Sequence, residues 1–143
     1  MASQNFSKLS EHLARGAIDF SSASFKILLI SSALTEANLD SWVFRSAVTN
    51  EVANGNGYAT GGVAIAATVS PVDIANNRTQ IAYADLPNGW TAATISAVGA
   101  IIYQSTGNAA TDKLLHYLDL GGTITCTNGT FGVTFTQPLF INR

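Results

Sequence analysis

A chain of 143 residues with 47% hydrophobic and only 11% charged side chains has enough apolar material for one packed core and too much for an intrinsically disordered segment. Seven basic and nine acidic residues give a net charge of -2, without the clustered positive charge that neutralising nucleic-acid phosphates requires, so no nucleic-acid partner is expected. Thr, Ser, Asn and Gln together supply 43 of the 143 residues, which predicts an exterior that is polar yet almost uncharged.

In chain order, Leu9 and Leu13 stand four residues apart among polar neighbours, and Gly16 follows where a helix stops. A short amphipathic helix is predicted over residues 7–15, inside an N-terminal arm of residues 1–16. Residues 25–32, Phe-Lys-Ile-Leu-Leu-Ile-Ser-Ser, are too short for a typical helix and nearly continuous in apolar character, as a strand covered on both faces is. Residues 35–48 offer caps and turns through Thr35, Asn38 and Asp40 and read as a loop with one helical turn.

Residues 54–62, Asn-Gly-Asn-Gly-Tyr-Ala-Thr-Gly-Gly, read as a turn needing left-handed backbone; a phosphate loop fails because Thr60 stands where a glycine is required. Beyond it, the alternation of residues 63–69 and the apolar pair Ile81 and Tyr83 suggest one long hairpin. Residues 95–103, 114–120 and 130–136 read as further strands. Residues 86–89, 105–111, 121–122 and 127–129 read as turns between them. The expected fold is mainly β: an antiparallel β-sandwich or partly closed barrel with a short N-terminal helix, one domain over residues 1–143 with its β body at residues 25–143.

Candidates for chemistry are sparse. The single cysteine, Cys126, excludes an internal disulfide framework and has no adjacent cation or helix start to activate it. His12 and His116 stand alone, so neither a metal site nor a catalytic or cofactor-binding residue is predicted. Asp85 and Asp119 are possible hydrolase carboxylates, with nothing local to bring them to one cleft. Trp42, Trp90, Tyr58 and Tyr103 have the shape for stacking on sugars, but large aromatics in a small β protein serve more often as core or interface anchors. The first thirty residues lack a basic segment followed by a clean apolar stretch, and the longest apolar runs fall short of the about 18 residues of a membrane span. Synthesis in a reducing cytosol and no membrane partner are expected.

Three segments in order carry a likeness to a known group. Residues 26–32 match a core strand. Glu51, Val52, Gly55, Gly57, Tyr58, Gly61 and Gly62 match a glycine-rich turn, and Tyr103, Thr106, Gly107, Tyr117, Asp119 and Gly121 match a later segment, with Gln104-Ser105 standing where an acidic residue is common and Leu120 where Phe is usual. The chain resembles small tailed-phage virion proteins of the capsid decoration or cement type. That resemblance implies no enzyme and no cofactor. It implies a homotrimer on the outer surface of the head, with the major capsid protein as partner and capsomer contacts braced. A tail, fibre or neck position with host-glycan binding through Trp42 or Trp90 is the alternative. Phe6, Leu9, Leu13 and Trp42 are the expected partner contacts, with the N-terminal helix capping the sandwich as the competing reading.

Overall fold

A computed structural model describes residues 2–136 and 138–142 of the chain; Met1, the first residue of the expected arm, lies outside them. The elements are β1 (Ala2–Asn5), α1 (Lys8–Ala14), β2 (Phe25–Ile30), α2 (Glu36–Ser41), a single 3-10 turn at Arg45–Ala47, β3 (Val63–Ile65), β4 (Ala67–Val69), β5 (Arg78–Tyr83), β6 (Leu86–Gln104), β7 (Lys113–Val133) and β8 (Leu139–Asn142). They form two open antiparallel sheets, β1-β7-β6-β2-β3 and β4-β5-β8, so the fold is mainly β and sandwich-like, not a closed barrel.

The apolar continuity of β2 has the predicted consequence. Ile27 and Leu29 point into the cluster between the sheets with Phe25, Ile65, Ile81, Tyr83 and Ile102. Leu28 and Ile30 point to the opposite face, where they meet Ile101, Tyr103, Leu114 and Leu39 of α2. Both faces of the larger sheet are therefore dry at β2 and the segments of β6 and β7 beside it, with α2 covering the face away from the second sheet. Helix α2 starts where a cap is available: the Thr35 hydroxyl accepts the Asn38 amide, and Asn38 Oδ1 accepts the Thr35 amide at 2.9 Å.

Three expectations are corrected. Residues 63–69 do not form one hairpin arm: β3 pairs with β2 in the larger sheet and β4 pairs with β5 in the smaller one. The alternation is real, but one strand-like segment is shared between two sheets that meet there. Residues 86–89 are not a turn but the start of β6, and the Gly121-Gly122 and Asn128 segments lie inside β7. There they act as bulges. Val98 faces residues 120–123 between the pairs Ala97–Ile124 and Gly99–Asp119, while Asn128 takes a φ of 45°. Left-handed residues within a strand mark bulges as readily as turns, and local sequence does not tell them apart.

Candidate functional site

Leu29, Glu51, Tyr58, Gly61, Tyr103 and Thr106 come from separate segments and meet in one place. Glu51 Oε1 accepts the Tyr58 hydroxyl at 2.8 Å and the Gly61 amide at 2.5 Å. The Tyr58 oxygen in turn accepts the Leu29 amide of β2 at 3.1 Å. Tyr103 donates its hydroxyl to the Gly61 carbonyl at 2.7 Å, and the Arg45 guanidinium lies over its ring at 5.4 Å. Arg45 Nε donates to Asp112 Oδ2 at 2.8 Å, and Asp112 Oδ1 accepts the Thr106 amide and hydroxyl at 2.6 and 2.9 Å.

This chain of bonds holds the turn of residues 54–62 against β2 and ties it to the loop between β6 and β7. Gly62, at φ 69°, has no room for a side chain because a Cβ would run into the Ile27 carbonyl. Burial and the neighbouring Glu51 charge push the Tyr58 hydroxyl far above its ordinary range, although its bond from Leu29 opposes that. Burial raises Tyr103 to about 12. Burial also works against the Asp112 carboxylate, but the Thr106 and Arg45 bonds outweigh it and hold its pKa below the usual value. Neutral phenols and a fully paired carboxylate make a structural lock rather than acid-base machinery.

Phe6 and Leu9 are 1% and 2% exposed, Phe6 in the cluster beneath α2 and Leu9 between the sheets. The expectation that they face a partner is corrected. The arm folds back as β1 along residues 116–119 of β7, and its apolar side chains are consumed by the chain's own core. Leu13 and Trp42 are half-buried and pack against the two clusters. Trp90 is buried, with Tyr58 stacked at 5.8 Å and Phe131 edge-on at 5.9 Å, so it offers no sugar platform.

Asp85 accepts the Phe135 amide at 2.7 Å, and Asp119 accepts the Gly121 amide at 2.8 Å. The first precedes Leu86 and the second sits opposite Gly99, so the length of β6 between those residues separates them. They form no catalytic pair. His116 is fully buried, with Nδ1 2.8 Å from Asn5 Oδ1 and its ring edge-on to Tyr83. Burial alone pushes its pKa down to about 3. Cys126 is half-exposed and donates its thiol to the Ala93 carbonyl. Among the described residues no three His, Cys, Asp or Glu side chains gather as metal ligands, and no helix is long and apolar enough to cross a membrane.

What sequence reasoning missed is on the surface. Val72 and Ile74 are 59% and 80% exposed, in the loop between β4 and β5, with Val69 beside them. Next to Val69 opens a mostly apolar cleft of about 520 Å³, lined by Leu13, Ile18, Phe20, Ile81 and Ile141 among others. The available signal was two apolar residues set between Pro71 and Asn76-Asn77, a stretch too rich in turn formers to bury them.

No family model, no curated protein and no solved structure matches this chain.

Proposed function

We propose that this chain is a structural virion subunit that decorates the outer surface of a tailed-phage head, where it contacts the major capsid protein and braces the joints between capsomers. The observation that carries the reading is the convergence of Glu51, Tyr58, Gly61 and Tyr103 on one hydrogen-bonded lock. Parts of the segments that resemble those virion proteins are thus joined by hydrogen bonds, which supports the reading.

Two further features support it. The exterior is nearly neutral, as suits repeated packing of identical copies. The apolar loop carrying Val72 and Ile74 is a projecting surface that water covers at a cost and a neighbouring shell would cover at a gain. Repetition over a lattice then converts weak single contacts into firm retention.

The test uses particles of the phage that encodes this chain, with and without its gene. A density map of the heads should show stoichiometric, symmetry-fixed copies on the outer surface, and heads lacking the chain should rupture at lower temperature. Density at the tail alone overturns the head assignment, and heads equally resistant to heat overturn the bracing role.

A further inference from the structure

Strands β6 and β7 outrun the rest of the larger sheet. β2 reaches β6 only as far as Gly99, and β1 reaches β7 only as far as Asp119. Beyond those points the two continue as a ribbon with an edge on either side. The β6 edge is covered by the turn of residues 54–62: the Thr94 amide donates to the Asn56 carbonyl at 2.9 Å, and a Cβ on Gly57 would lie 2.7 Å from the Ala93 Cα. The β7 edge from Leu120 onward pairs with no strand among the described residues.

Within that bare edge, residues 123–127 read Thr-Ile-Thr-Cys-Thr; the central three keep regular register with β6 through Ile124–Ala97, Thr125–Ser96 and Cys126–Ile95, while Thr123 and Thr127 border the bulges on either side. Proteins that stay single guard such an edge with lysine, proline or a bulge within the exposed stretch. Here the bulges flank the stretch and leave its middle straight, and no charged residue occurs from Leu120 to Asn142. Ile124 adds an independent sign. It lies opposite Ala97, which is fully buried, yet is itself 47% exposed. It belongs to the core-facing side of the ribbon at a place where, among the described residues, no strand lies beyond the edge.

We propose that residues 123–127 of two copies of this chain pair as antiparallel strands about a two-fold axis at Thr125, joining two ribbons into one four-stranded sheet. The stretch is its own complement. Thr123 meets Thr127 of the second copy, Ile124 meets Cys126, and Thr125 meets itself, with no like charges opposed. The pairing satisfies the open backbone groups and covers both copies of Ile124. A contact of this kind is isologous and closes at two copies, so it does not run on into a fibre. A three-fold arrangement on a head needs a different contact, and this one would then link neighbouring trimers. The pairing does not depend on the head assignment.

The test is made on the isolated chain in solution, so its outcome is separate from attachment to heads. In a Cys126→Ser background, Thr125→Cys places two thiols directly opposite across the axis. Antiparallel strands set such Cα atoms about 4.5–5.5 Å apart, inside the reach of a disulfide. Mild oxidation is expected to give a covalent dimer within the time that Thr91→Cys, an exposed β6 position in the same background, stays uncross-linked. Mixing the Thr123→Cys and Thr127→Cys chains is expected to give the cross-linked heterodimer, which serves as a second reading should Thr125→Cys fold poorly. Ile124→Lys is expected to turn a sedimenting dimer into a folded monomer whose melting temperature no longer depends on protein concentration. Thr125→Cys linking no faster than Thr91→Cys, or a wild-type chain that sediments as a monomer at its highest soluble concentration, overturns the proposal.

Discussion

Glu51 and Tyr58 stand seven residues apart in the chain and are joined by a 2.8 Å hydrogen bond that closes the glycine-rich turn onto β2. The same phenol oxygen accepts the Leu29 amide, so one hydroxyl satisfies a backbone donor and a carboxylate together. Its removal leaves the buried Leu29 amide without its partner and Glu51 with the Gly61 amide alone. Tyr58→Phe is therefore expected to lower unfolding stability by about 1–3 kcal/mol, the cost of unsatisfied buried groups. Urea unfolding followed by Trp90 fluorescence measures it. A change below about 0.5 kcal/mol, the range of ordinary surface substitutions, rules out the locking role.

Asp112 is almost wholly buried and receives Arg45 and two donors from Thr106. Asp112→Ala removes one partner and leaves the Arg45 charge half-enclosed above Tyr103. Breaking such a pair from one side costs about 3–5 kcal/mol, whereas replacing both members by apolar residues of like volume costs much less. Arg45→Met with Asp112→Leu is thus expected to unfold at a higher urea concentration than Asp112→Ala alone. Additive losses in the double variant would show that the two side chains do not act as a pair.

The pH dependence follows from His116. Its pKa is lowered from 6.5 to about 3 in the folded chain because burial disfavours the charged ring. The folded state therefore refuses a proton that the unfolded state accepts once the pH drops below 6.5. Stability carried by the neutral ring is complete above pH 6.5 and declines between there and pH 3, by about 1.4 kcal/mol per unit where the two states differ by one full proton. His116→Leu is expected to flatten the fall in unfolding free energy between pH 6.5 and 4.5. His12 is lowered by burial too, so the comparison between the two chains isolates His116. Parallel slopes would place the acid sensitivity elsewhere.

Much of the architecture was legible in the chain. The continuous apolar run of β2 announced a strand buried on both faces, and the spacing of Leu9 and Leu13 announced α1. The partition of residues 63–69 between two sheets was not legible, because the alternation is the same whichever strand lies alongside. Nor were the bulges of β7, since Gly121, Gly122 and Asn128 take the same backbone in a bulge as in a turn. The partner-facing surface was misread for a related reason. Phe6 and Leu9 were expected at a partner surface, but pairing of β1 with β7 is a long-range property that draws the arm, and these side chains with it, against the chain's own core.

That last point separates core from surface and can be tested in one pair of substitutions. Phe6 is buried beneath α2, just beyond β1, and its amide donates to the Leu115 carbonyl at 3.0 Å. Phe6→Ala should cost about 3–5 kcal/mol, since truncating a buried aromatic loses both transfer energy and packing. Ile74, 80% exposed, makes no comparable demand on the fold. Ile74→Ser is expected to leave the unfolding free energy unchanged within about 0.5 kcal/mol while, on the head-surface role proposed above, weakening retention on heads. Retention is read from the fraction of chain that stays with heads through a density gradient at increasing salt and temperature. If Phe6→Ala folds with wild-type stability yet detaches from heads, the arm is the docking element after all; if Ile74→Ser is retained like the wild type, the loop between β4 and β5 is not.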